Sequence, residues 1–176
     1  MNFLAIESVT RSPGAAIFIK EKLIDENHSN NCNSSILASL INGLLVKNSV
    51  DATELDFISV TIGPGTFTGL RVGISIAQGI SYSINKPIVP VNVLDAISSK
   101  TEDGDKIPVA FHSHADFFYY RNPNIDDSIR LITIDEIKGQ SIYGCNLDQY
   151  SDLIDYKKIN YSHLINDYRR YFSITY

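Results

Sequence analysis

The chain has 176 residues, room for one generous domain or two small packed lobes. Twenty acidic against fifteen basic residues give a net charge of −5, the opposite of the basic stripe with which a protein grips nucleic acid unaided. A hydrophobic share of 44% with 20% charged residues excludes a disordered chain, and no stretch approaches the roughly 18 apolar residues of a membrane span.

Residues 2–6 are mostly apolar and read as a buried strand, ended by the polar run Glu7-Ser8-Val9-Thr10. The start Met1–Glu7 lacks the basic region of a targeting signal, and Cys32 and Cys145 make neither a metal cluster nor a disulfide framework. A reduced, cytoplasmic setting is expected. Ser12-Pro13-Gly14 signals a turn, and residues 15–20 and 21–26 read as two more strands of an antiparallel meander. The polar stretch 27–35 is rich in cap formers, with Asn33 or Ser34 as the expected N-cap. Ile36, Leu37, Leu40, Ile41, Leu44 and Leu45 then fall on one helical stripe.

Residues 56–62, Asp-Phe-Ile-Ser-Val-Thr-Ile, have the β-branched content of a strand, broken sharply by Gly63-Pro64-Gly65-Thr66. A second helix is expected over 68–84, a short buried strand over 88–91, and a brief helix over 92–99 capped by Asn92. Residues 100–106, Lys-Thr-Glu-Asp-Gly-Asp-Lys, are the one clear composition shift, a linker between a lobe of 1–99 and a lobe of 107–176. Within the second lobe, 107–112, 115–121 and 128–133 read as strands with a turn at 122–124. A helical turn at 134–139, a strand near 141–146 and a tail helix over 161–171 follow. No internal repeat is visible. This order of elements predicts α/β or α+β with a mixed sheet.

The segment Gly63-Pro-Gly-Thr-Phe-Thr-Gly-Leu-Arg71-Val-Gly73 carries the most information. Gly63 and Gly65 permit backbone angles that other residues avoid, and the loop feeds a helix N-terminus, where free N–H groups favour an anion. Gly63, Gly65 and Thr66 therefore form either a phosphate or carboxylate cradle or a tight turn with no ligand. No Gly-Lys-Ser/Thr follows, so this is not a Walker A loop. Gly69, Gly73 and Ala77 share one face of the next helix, with Gly79 further along. Each glycine costs a helix about 0.8–1 kcal/mol against alanine, so something must approach that face closely, either inside this chain or from another subunit. His112 and His114 share one side of a strand as a metal pair, but no third ligand with suitable spacing lies nearby.

Phe3-Leu-Ala-Ile-Glu-Ser8, the Gly63–Gly73 block and Lys86-Pro87-Ile-Val-Pro-Val91, in that order, resemble the TsaB (YeaZ) family of the bacterial tRNA threonylcarbamoyladenosine (t6A) machinery. The resemblance covers residues 1–100. It implies an actin-like (ASKHA) ATPase fold of two ribonuclease-H-like lobes, the second reduced here. It also implies a non-catalytic subunit that pairs with the catalytic paralogue TsaD, with the small ATPase TsaE completing the assembly. That assembly places threonylcarbamoyl on adenosine 37 of tRNAs reading ANN codons. ATP and a metal then belong to the complex, tRNA is met only through it, no membrane is involved, and the free chain is expected to form a homodimer.

The paralogue holds its metal with histidines in a pattern like Val-Asn-His-Leu-x-x-His; the matching stretch here is Val91-Asn92-Val93-Leu94-Asp95-Ala96-Ile97, with Val93 and Ile97 at the histidine positions. The family's first strand ends in Asp-Thr-Ser, where this chain has Glu7-Ser8-Val9-Thr10. An anion or nucleotide in the family's cleft would meet Glu7, Thr10, Gly63, Gly65 and Thr66. The helices over 34–47 and 68–84 are expected to pair with the paralogue's as a four-helix bundle. The contact residues would be Leu37, Ile41, Leu44, Gly69, Arg71, Gly73, Ile76, Ala77 and Ile80. Replacing Gly73 by leucine would then leave stability near normal and block the partner. An alternative is an active ATPase or small-molecule kinase of the same superfamily, which needs strand-end carboxylates facing the glycine loop; Glu7 alone qualifies. A metallopeptidase would need histidines that this chain lacks.

Overall fold

The structure, a computed structural model, describes residues 1–10, 12–29, 36–99, 108–145 and 147–158. The expected cap at Asn33 or Ser34, the linker 100–106 and the tail helix 161–171 lie outside the described residues.

The first sheet contains β1 (Phe3–Glu7), β2 (Gly14–Ile19), β3 (Lys22–His28), β4 (Phe57–Gly63) and β5 (Ile88–Asn92) in the order β3-β2-β1-β4-β5. β1, β2 and β3 form an antiparallel meander, while β4 and β5 run parallel to β1. Two helices, α1 (Ile36–Lys47) and α2 (Phe67–Ile84), make the crossovers into β4 and β5. A short helix α3 (Val93–Ser98) follows β5 directly, capped as expected by the Asn92 side chain, which accepts from Leu94 N at 2.9 Å.

The second sheet contains β6 (Val109–His114), β7 (Phe117–Asn122), β8 (Asp126–Thr133), β9 (Ser141–Cys145) and β10 (Asp155–Lys158). Its order, β8-β7-β6-β9-β10, repeats the first: an antiparallel meander, then two strands parallel to its first strand. The sequence shows no such repeat, because the shared property is topology and not residue identity. The helices are what shrink. The counterpart of α1 is a four-residue α4 (Ile134–Ile137), and that of α2 is a single 3₁₀ turn at Asp148–Tyr150. The chain is an α/β protein with, among the described residues, two five-stranded mixed sheets, the second lean in helix.

Side-chain alternation sorts the core into layers. Leu4, Ile6, Ala15, Ile17, Ile58 and Val60 face Leu37, Leu40, Ile41 and Leu44 of α1 and Ala77 of α2. Phe3, Ala5, Ala16, Phe18 and Phe57 point the other way and join Val93, Leu94 and Ile97 of α3 and Val109, Phe111 and Cys145 of the second sheet. Phe18, Phe3 and Phe57 stack across three adjacent strands, with ring centroids 4.3 and 4.6 Å apart. The outer face of the second sheet is closed by Ile134 and Ile137 of α4 together with Leu147, Tyr150 and Ile154. A buried arginine braces the middle layer: Arg121 on β7 donates to the Asp95 carboxylate and, at 2.6 Å, to Ser98 Oγ, both on α3.

Candidate functional site

At the C-terminal end of β1 the chain folds into a tight polar turn. Glu7 is fully buried. Its Oε1 accepts from the backbone N–H of Val9 (2.7 Å) and of Thr10 (3.0 Å), and its Oε2 accepts from the Thr10 hydroxyl. Burial pushes the Glu7 carboxyl up to about 7, against hydrogen bonds from Thr10, Val9 and Ser8 that pull it down. Among the described residues, the hydrogen bonds of this carboxylate are made inside its own turn.

That turn is the seat of α2. Thr66 N donates to the Val9 carbonyl at 3.3 Å, and a side chain at Gly65 would meet Val9 Cβ at 2.4 Å. A methyl at Gly69 would lie 2.0 Å from the Ser8 carbonyl oxygen, and one at Gly73 would lie 2.1 Å from Ser8 Oγ. Gly63 bends the entry, with φ at +106°. The space at Gly65 and beneath the start of α2 is filled by Ser8 and Val9 of the chain itself, while Gly63 lies against Leu70. Glu7 and Thr10 face each other instead of an open cleft. The cradle expected at Glu7, Thr10, Gly63, Gly65 and Thr66 is thus corrected to a packed turn. The Glu7 carboxylate and the Thr10 hydroxyl are turned onto each other and away from a ligand at the glycine loop.

The expected partner contacts are corrected by the same geometry. Leu37, Ile41, Leu44, Gly69, Gly73 and Ala77 are buried, and Ile76 and Ile80 pack half-buried against the same core. The apolar stripe of each helix faces its own sheet because that sheet offers the nearest apolar surface. Of the nine residues only Arg71 is exposed, with its guanidinium 5.0 Å from the centroid of the Phe67 ring.

The outward faces are made of residues that the apolar pattern passes over. α1 presents Ser39, Asn42, Gly43 and Val46; α2 presents Phe67, Arg71, Ser75, Gln78, Gly79 and Tyr82, the last 91% exposed. Both Gly43 and Gly79 look into open space. Among the described residues nothing repays their helix penalty. Across the two helices the sole charges are Lys47 and Arg71. Both helices cover the same face of the first sheet, so both outward faces, each with a single charge, lie on the same side of it. The sequence signal for them was the complement of the apolar stripe: glycines and small polar residues where a solvated helix carries Lys and Glu.

α3 gives the remaining contrast. Val93 and Ile97 have no solvent exposure and pack between the two sheets. The His112/His114 pair brings no further ligand together: His112 Nε2 bonds the Ala115 carbonyl at 2.8 Å, and His114 Nδ1 meets Ser113 Oγ at 3.0 Å. Among the described residues no three His, Cys, Asp or Glu side chains gather as a metal site. Also among them, no helix is long and apolar enough to cross a membrane.

Residues 23–115, more than half of the chain, match the family described as TsaD, tRNA N6-adenosine threonylcarbamoyltransferase. The chain belongs to this family. The TsaB (YeaZ) proteins are the branch it falls in. It is 36% identical over 123 residues to a tRNA N6-adenosine threonylcarbamoyltransferase of Chloroherpeton thalassium, covering 59% of this chain and 35% of the relative. It is 26% identical over 99 residues to a tRNA threonylcarbamoyladenosine biosynthesis protein TsaB of Haemophilus influenzae, covering 56% of this chain and 42% of that one. The chain therefore spans less than half the length of these curated relatives. The fold matches YeaZ from Pseudomonas aeruginosa with a TM-score of 0.75 at 15% identity, over 98% of this chain and 93% of that one. The TsaB branch and its fold are thus as the glycine block and strand motifs implied.

Proposed function

We propose that this chain is a non-catalytic scaffolding subunit of the cytoplasmic complex that makes t6A on tRNA, and that it docks a TsaD-like catalytic paralogue. The observation that carries this reading is α3. Where the paralogue's pattern has metal-binding histidines, Val93 and Ile97 are buried and apolar, and neither can ligate a metal. The turn at Glu7 argues in the same direction, since its carboxylate is engaged internally and unavailable to magnesium.

The docking surface is the outward face of α1 and α2. Gly43 and Gly79 leave room for close helix approach, and depletion of charge is what an interface core requires. ATP and the metal belong to the assembled complex, the small ATPase TsaE completes it, and tRNA is contacted through it. Without the paralogue the same face pairs two copies of this chain.

The test is co-purification with the TsaD protein from the same genome, followed by t6A reconstitution with and without this chain. We expect a stable pair and product only when both are present. Ser75→Arg with Gly79→Arg should leave the chain folded and weaken the pair at least tenfold. Unchanged affinity in that variant, or threonylcarbamoyl transfer by this chain alone, would overturn the reading.

A further inference from the structure

The surface of α2 is only as well placed as the element beneath it. Besides Leu70 in the core, its first two turns and the loop before them rest on Ser8 and Val9: the Ser8 carbonyl under Gly69, the Ser8 side chain under Gly73, the Val9 side chain against Gly65, and Thr66 N donating to the Val9 carbonyl. These contacts use backbone atoms of a three-residue turn with no regular hydrogen-bond ladder. Among the described residues, most of its hydrogen bonds go to one side chain. Glu7 takes up the N–H groups of Val9 and Thr10 and the Thr10 hydroxyl, and Thr61 Oγ1 takes up Ser8 N at 3.3 Å.

We propose that Glu7 is the positioning residue of the docking face: its buried carboxyl group folds Ser8–Thr10 into the rigid seat on which the glycine-bearing side of α2 rests. The inference rests on the docking reading above. The position at the end of the first strand serves here to hold a helix in register. A shorter side chain would leave buried amide donors of the turn unpaired and let the seat, and with it the start of α2, shift. Glutamine keeps the geometry: its carbonyl oxygen accepts from Val9 and Thr10 N–H, and its amide donates to Thr10 Oγ1.

The experiment compares Glu7→Ala and Glu7→Gln in the full chain, well below the melting temperature of each. Amide hydrogen exchange is read across Phe67–Gly73, and affinity is read for the TsaD protein of the same genome. Glu7→Ala should speed exchange in the first two turns of α2 at least tenfold, leave α1 unchanged and weaken the partner at least tenfold. Glu7→Gln should restore both to within about threefold. A residue with a merely global structural role would lower the melting temperature without this local pattern. Unchanged exchange at Phe67–Gly73 in Glu7→Ala overturns the proposal. So does accelerated exchange with undiminished affinity, provided that the outer-face pair Ser75→Arg/Gly79→Arg does weaken binding. If the outer-face pair leaves affinity intact, it is the docking reading that falls. If Glu7→Ala does not fold, Thr10→Val, which removes one of the three donors, should show a smaller change of the same pattern, and its absence overturns the proposal.

Discussion

Alanine placed at Gly69, Gly73 and Gly79 should yield three different stabilities from one nominal change. Each substitution gains about 0.8–1 kcal/mol of helix propensity. At Gly79 no described atom beyond its chain neighbours and the backbone of its own helix lies within 4 Å of the new methyl, so the gain stands whole and the protein is stabilised by about 1 kcal/mol. At Gly73 the methyl meets Ser8 Oγ at 2.1 Å and Ser8 Cβ at 2.7 Å, and Ser8 is too buried to swing into solvent. Overpacking of this kind costs about 1–3 kcal/mol, so the net effect is a loss of about 1 kcal/mol. At Gly69 the obstacle is backbone, the Ser8 carbonyl oxygen at 2.0 Å, in a turn held by Glu7 and Thr61. The helix must lift, at the top of the overpacking range, for a net loss of about 2 kcal/mol. In a chain of this size about 1 kcal/mol moves Tm by about 2–4 °C, so Gly79→Ala should melt above the parent and Gly69→Ala clearly below it. Urea unfolding with matched m-values is the assay. Equal stability of Gly69→Ala and Gly79→Ala would refute the assignment of the two faces. By the same geometry Gly73→Leu should be badly destabilised, the reverse of the near-normal stability that the sequence alone suggests.

The pH dependence of Glu7 has a definite sign. Its folded pKa lies near 7, above the ordinary 4.5, so the folded state holds a proton over that window that the unfolded chain has released. The contribution is fully present below pH 4.5 and lost as pH rises through 7, about 3 kcal/mol in all. Glu7→Gln should therefore gain on the parent as pH climbs from 5 to 8; parallel stability–pH curves would contradict this. Arg121→Ala removes the brace between α3 and β7 and should cost about 2–3 kcal/mol, below the figure for a fully buried pair because a third of Asp95 meets solvent. Chemical denaturation checks it, and a loss under about 0.5 kcal/mol, the scale of an exposed pair, would show the brace to be idle.

Local chemistry was enough to place most of the elements. The meander at the N-terminus, the strand-to-helix break at Gly63–Thr66, the Asn92 cap and the strands flanking 115 and 123 all follow from propensity and turn residues, which act over a few neighbours. The short parallel strand Asp155–Lys158 did not show, because it is strand only by pairing with Ser141–Cys145. The family was legible too, in a glycine block whose residue identities are dictated by one tight contact.

Which side of each helix faces inward was decided elsewhere. The sequence specifies that Gly69, Gly73 and Ala77 share a face and that something comes close to it. It does not specify that the neighbour is Ser8, sixty residues away in the chain, because that contact exists only once β1 and β4 pair in parallel and bring the two strand ends together. Glu7 is the same case. A carboxylate at a strand end reads as a ligand for phosphate or metal until the fold shows its oxygens turned onto the next three residues. Periodicity fixes the relative orientation of side chains within an element, whereas the partner of each face is set by packing between elements distant in sequence.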